Sequence, residues 1–213
     1  PIHLIRPLHL DADPPMIKRI FQLGIPNGLE NSMFQIGKLM VAGIISGMGE
    51  SIIAGNAIAN NISSMCNLTG SAIGLAIVTV VGQCIGANDI KQARFYSRRL
   101  FALVWILTIA MDVLLFFGAR TVASLFSLSP EGLDAAENVL RWYAVVAALI
   151  WPASFTSPNA LRAAGDARFT MLVSVVSMWA FRIGASYLLV FGFEMGLLGV
   201  WVAMFIDWVA RSI

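Results

Sequence analysis

Long apolar stretches and short polar breaks alternate along the whole chain. Six stretches predict helices near residues 16–47, 51–83, 97–119, 136–161, 168–191 and 195–213. Each can cross a hydrocarbon core of about 30 Å, which takes roughly 20 helical residues. The first two exceed that length, so their ends are expected to tilt or run through the headgroups. The breaks carry turn chemistry: "SGMGES" at 46–51, "GQCIGANDIKQAR" at 82–94, "FSLSPEGLDAAEN" at 126–138, "AAGDAR" at 163–168 and "FGFEMG" at 191–196. Ahead of them, "PIHLIRPLHLDADPP" (residues 1–15) holds four prolines and reads as a linker or interfacial lead-in. Residues 16–213 then form one transmembrane unit.

Composition agrees with that pattern. Hydrophobic residues make up 58% of the chain and charged residues 12%, with a mean hydropathy of +0.79. A soluble domain carries about 25% charged residues, so this chain is read as an all-α integral membrane protein, a bundle of six transmembrane helices. The net charge of +2 is too small to point to nucleic acid. Placement of the charges says more. One set of helix ends carries Arg6, Lys18, Arg19, Lys91, Arg94, Arg98, Arg99, Arg162, Arg168 and Arg211, the opposite set only Arg120 and Arg141. This asymmetry predicts a multi-pass protein of the cell (inner) membrane with both ends of the segment cytoplasmic.

Cys66 and Cys84 lie 18 residues apart on one predicted helix, about 27 Å at 1.5 Å per residue, too far to bridge. His3 and His9 have no partner at ligand spacing, so no metal site is expected. The sequons at Asn61 and Asn67 fall inside an apolar helix. No hydrolytic, metal or phosphate-binding motif stands out, which leaves an enzyme unsupported. Gly24/Gly28, Gly43/Gly47, Gly70/Gly74 and Gly82/Gly86 stand four apart and predict close helix approaches.

Charges inside apolar helices are costly and usually pair or line a pathway. Here they are Glu30, Lys38, Asp112, Arg182 and Asp207. Arg182 and Asp207 lie at matched depths on either side of the last turn and predict a structural ion pair. Glu30, Phe34 and Lys38, at i, i+4 and i+8, share one predicted face of the first helix, beside a row of Asn27, Asn31 and Gln35, just after Pro26. Counted from Lys18, Glu30 lies about 18 Å inward. That stripe predicts either a cavity lining or structural pairing, with Lys38 or Arg182 as partner to Glu30. Asn60 and Asn61 are read as inter-helix hydrogen bonders or cavity residues, and Asp112 as a packing charge or cavity group. Phe34, Trp151 and Phe155 are the candidates for substrate contact, with ordinary packing as the alternative for the last two.

"LGIPNGLE", "AGNAIANNISSM", "GSAIGLAIVTVVGQCIGANDIKQAR", "NALRAAGDARFTM" and "GVWVAMFIDWVAR" together resemble the carboxyl-terminal half of the multidrug and toxic compound extrusion (MATE) transporters. The resemblance covers essentially the whole chain. It implies one six-helix lobe of a twelve-helix protein, with an amino-terminal lobe, the lipid bilayer and small organic cations as partners. The implied activity is efflux of amphipathic, mostly cationic compounds in exchange for Na⁺ or H⁺, with no other cofactor. It also implies a functional carboxylate on the first helix, at a position that is Phe34 here, with Glu30 one turn earlier. A second acid known from some members falls near Pro152, where this chain has none. The cation-coupling or cavity set is therefore Glu30, Asn27, Asn31, Gln35, Lys38, Asn60, Asn61 and Asp112. Two other readings stay open: a lipid-linked-precursor flippase of related fold, and a six-helix homodimeric structural or channel-like membrane protein.

Overall fold

The computed structural model of the protein describes residues 14–163 and 167–212. His3, Arg6 and His9 of the lead-in, and residues 164–166 of the fourth break, lie outside the described residues. Those described are helical apart from short turns. The helices are α1 (Pro14–Ser46), α2 (Glu50–Gly86), α3 (Ile90–Ser124) and α4 (Pro130–Ala163). A fifth, α5, runs over 167–192: Ala167–Ser177 and Ala185–Tyr187 are α-helical, and Met178–Gly184 and Leu188–Gly192 wind as wider π turns. Gly196–Ser212 forms α6. By length and composition α2, α3, Pro130–Asn159 of α4 and Phe169–Gly192 of α5 can each cross a membrane. Polar and charged positions interrupt α1, and α6 has only 17 residues.

Local chemistry sets the helix ends. Gly49 joins α1 to α2 at φ 94°, a conformation that costs a side-chain-bearing residue energy. Glu50 then places a carboxylate in the first turn of α2, where the helix dipole favours it. Asp89 caps α3 by accepting from the Gln92 N–H at 3.0 Å. So α3 starts at Ile90, not near 97, and the basic stretch from Lys91 to Arg99 forms its first turns. Likewise the Gly132 N–H donates to Ser129 Oγ at 3.2 Å and Pro130 takes the first helical position, which starts α4 six residues earlier than the apolar pattern predicts.

Helices α2, α3 and α4 pack as the inner layer, α6 lies against α4 and α5, and α1 rests mainly on α5. In lipid the burial of apolar surface does little to hold helices together, so close backbone approach and hydrogen bonds matter more. An ideal Cβ on Gly55 would stand 2.4 Å from the Gly132 carbonyl oxygen, and one on Gly70 would meet the Trp151 ring at 2.4 Å. These are two of the tight crossings, and Gly74 against Asn159 is another. Of the predicted glycine pairs only Gly70/Gly74 makes one; Gly24, Gly28, Gly43, Gly82 and Gly86 face open space. Tyr143, 1% exposed, is the hub of the core. Its hydroxyl donates to Asn67 Oδ1 at 2.8 Å, and Trp201 and Trp208 meet its ring edge-on at 5.8 and 5.9 Å. Such aromatic pairs each contribute about 0.5–1.5 kcal/mol beyond their contact area.

Candidate functional site

The polar stripe of α1 divides. Asn31, Gln35 and Lys38 are exposed and Asn27 is half-buried, while Glu30 is buried and Phe34 half-buried. Eight residues along a helix turn through 800°, which leaves Glu30 and Lys38 about 80° apart. Glu30 therefore points at the bundle and Lys38 away from it.

The partner of Glu30 is Arg162, in the last turn of α4. Its Nη2 donates to both carboxylate oxygens, at 2.6 and 2.7 Å. Neither Lys38 nor Arg182 fills that role. The pairing sets Glu30 beside the end of α4, closer to the basic end of the bundle than counting from Lys18 predicts. Every described side chain of α1 from Met16 to Ile25 is exposed, in keeping with that placement.

The second half of the network centres on Asp207, which is fully buried. Arg211, one turn further along α6, donates from Nε to Asp207 Oδ1 at 2.9 Å. Ser177 of α5 donates to the same oxygen at 2.6 Å. Arg182 approaches Asp207 Oδ2 only to 3.9 Å, beyond hydrogen-bond distance. The expected Arg182–Asp207 pair is thus a loose contact, and Arg211 is the principal partner. Arg211 stands four residues after Asp207 on the same helix, a spacing that brings the two side chains together. Arg211 also donates from Nη2 to the Ser174 carbonyl at 3.3 Å. Its guanidinium lies 4.3 Å from the Phe34 ring centroid and 5.8 Å from that of Phe155. Phe34 and Phe155 thus form an aromatic bed for a cation of the chain itself.

Three guanidiniums (Arg162, Arg182, Arg211) against two carboxylates (Glu30, Asp207) leave the cluster one positive charge in excess. By sequence Arg162 and Arg211 belong with the interfacial charges. The signal that pointed to Arg211 was its place four residues after Asp207. Nothing in the linear sequence joins Arg162 to Glu30, 132 positions away.

The other candidates fall elsewhere. Asp112 is 2% exposed, inside the packing of α2, α3 and α4. It lies in electrostatic reach of Cys66 and Tyr143, and its Oδ2 has no hydrogen-bond partner among the described residues. Trp151 is buried, stacks on Phe155 with centroids 5.4 Å apart, and fills the notch at Gly70. Asn60 and Asn61 are exposed on α2. Asn60 donates to the Asn56 carbonyl at 2.9 Å, and Asn56 Oδ1 accepts from Trp201 Nε1 at 3.1 Å, so the inter-helix bond belongs to Asn56.

Two uncovered surfaces result, of different composition. On α3, the exposed side chains Leu103, Ile106, Ile109, Val113, Leu114 and Phe117 make an apolar surface. On α1 and α2, Asn31, Gln35, Lys38, Asn60, Asn61 and Ser64 are exposed among apolar side chains that include Leu39, Met65 and Leu68. The first suits lipid throughout; the polar positions of the second call for water or protein across from them.

The MatE family model matches residues 26–188 of this sequence. The chain belongs to the MatE family. Relatives within it include a probable multidrug resistance protein NorM of Thermotoga maritima, 26% identical over 195 residues, covering 92% of this chain and 42% of that protein. The multidrug resistance protein MdtK of Photorhabdus laumondii is 27% identical, covering 98% of this chain and 47% of that one. The chain therefore spans less than half the length of these MatE relatives. A crystal structure of MATE in the bent conformation superposes with a TM-score of 0.86 at 18% identity, over 95% of this chain and 45% of that one. An outward-facing multidrug resistance MATE family transporter gives 0.85 at 19%, over 98% and 46%. The MatE fold is shared at about half the length of these structures, which fits one six-helix lobe.

Proposed function

We propose that this MatE chain is the carboxyl-terminal lobe of a cation-coupled multidrug efflux antiporter. The observation that carries the reading is the set of exposed polar positions on α1 and α2, where α3 exposes an apolar surface. In a membrane, such positions need a second lobe or a water-filled cavity opposite them. An amino-terminal lobe would supply the other wall, and small organic cations would pass between. The two lobes would rock about that cavity to open it to each side in turn. Family membership supports a transporter over a homodimeric structural assembly.

Within this lobe Glu30 is the acid of interest. Arg162 holds both of its carboxylate oxygens. An incoming Na⁺, H⁺ or cationic substrate competes with Arg162 for the same carboxylate. A ligand shifts a conformational equilibrium only by its differential affinity for the two states. Release of Arg162 from Glu30 would uncouple α1 from the end of α4, and that supplies the difference. The aromatic bed of Phe34 and Phe155 sits next to this exchange. Asn27 lies about one turn before Glu30, and Asn31 follows it directly, about 100° around the helix.

Cysteine accessibility tests the pathway. With Cys66→Ala and Cys84→Ala as background, single cysteines at Asn31, Gln35, Asn61 and Ser64 are expected to react with a water-soluble maleimide. Those at Ile106 and Phe117 are expected to stay unlabelled in vesicles. A cationic substrate should protect the first set. Equal labelling of both faces, or no protection, would contradict the reading.

A further inference from the structure

The basic ends of α2, α3 and α4 enclose a groove that the ion network does not use. Two adjoining cavities of about 330 and 360 Å³ open there and share Ser97 and Arg98 among their lining residues. The outer one adds Arg94 beside the α2–α3 turn. The inner one is walled by Ile77, Phe101 and Leu161. No carboxylate lines either cavity among the described residues.

The arginines of this groove, like Arg99, differ from the paired arginines of the described residues. Arg120 and Arg141 at the opposite end pair with Asp134 and Glu137, and Arg162, Arg182 and Arg211 pair with Glu30 or Asp207. Arg94 and Arg98 form no ion pair with a described residue. The nearest acid in sequence, Asp89, already accepts from the Gln92 N–H. Arg98 lies eight residues into α3, about 12 Å from its start, at a depth suited to a headgroup. Guanidinium matches the fork of phosphate oxygens. Below that charge the groove continues along Ile77, Phe101 and Leu161, with the Thr156 and Ser157 hydroxyls among its lining, so an acyl chain finds contacts there that a free phosphate cannot use.

We propose that this groove holds one anionic phospholipid of the leaflet at the basic ends. Its phosphodiester accepts hydrogen bonds from Arg98, Arg94 and the Ser97 hydroxyl. The upper methylenes of one acyl chain lie along Ile77, Phe101 and Leu161. The site is independent of the transport reading and requires only that these helices cross a membrane.

Native mass spectrometry of the protein released from nanodiscs of mixed phosphatidylglycerol and phosphatidylcholine tests it. Phosphatidylglycerol should be retained selectively at one copy per chain. Retention should fall roughly 25-fold in R94Q/R98Q, from two contacts of about 1 kcal/mol each. K91Q/R99Q removes the same charge from the same helix outside the groove, and should retain the lipid. Phe101→Asn should weaken retention through the acyl wall alone. Equal loss in K91Q/R99Q would show diffuse attraction and overturn the site, as would unchanged retention in R94Q/R98Q. Competition by glycerol phosphate as effective as that of the intact lipid would also overturn it, since the apolar half would then contribute nothing.

Discussion

Arg162, near the end of α4, and Glu30, in the middle of α1, hold each other through one nitrogen and two oxygens at 2.6 and 2.7 Å. The contact ties the most exposed helix of the lobe to its packed core. The Glu30 side chain is 9% exposed and that of Arg162 26%. Removing the cation strands a mostly buried carboxylate, so Arg162→Gln is expected to cost about 3 kcal/mol, the low end for a buried pair. The double variant with Glu30→Gln should recover much of that loss. Thermal unfolding in detergent reads the cycle, and strictly additive losses would show that the two groups do not interact.

Arg182 and Arg211 compete for one carboxylate, and geometry ranks them. Arg211 makes a hydrogen bond to Asp207 at 2.9 Å, while Arg182 stays at 3.9 Å. Arg211→Met should therefore destabilise more than Arg182→Met, by about 1.5 kcal/mol, the value of one hydrogen bond to a charged group. The same unfolding measurement compares them. An equal or reversed order would mean that Arg182 is the stronger partner.

The glycines separate into two kinds. A methyl group on Gly55 would strike the backbone of Gly132, which has no side chain to move aside. Gly55→Ala should lose about 1–3 kcal/mol through overpacking. Nothing lies within 4 Å of a Cβ on Gly43, so Gly43→Ala should gain up to about 1 kcal/mol of helix propensity. Melting temperatures that shift in the same direction for both would contradict the assigned crossing.

Much of the fold was legible because apolar run length decides which segments enter a membrane. The helix starts were misplaced where capping outweighs hydropathy: "NDIKQ" and "SPEG" carry Asp89, Ser129 and Pro130, and α3 and α4 begin there. The site was legible in part. Glu30 stood out as an acid within an apolar stretch, but its partner is fixed by helix packing across 132 positions. Arg162 and Arg211 were assigned to the interface because arginine is common at helix ends, and only the tertiary structure turns them inward. Matched depth led to Arg182 and Asp207, yet depth says nothing of rotation about the helix axis. In the structure that rotation favours Arg211.

The central claim is that Glu30 exchanges Arg162 for a transported or coupling cation. Glu30→Gln tests it most directly. The amide oxygen still accepts from Arg162, and that guanidinium is a quarter exposed, so the variant should fold and melt near the parent protein. Reconstituted with its second lobe in vesicles, it should lose cation-dependent efflux of a fluorescent cationic dye. Efflux equal to that of the parent, with the same response to Na⁺ and to pH, would contradict the account and leave Glu30 as a structural anchor for α1.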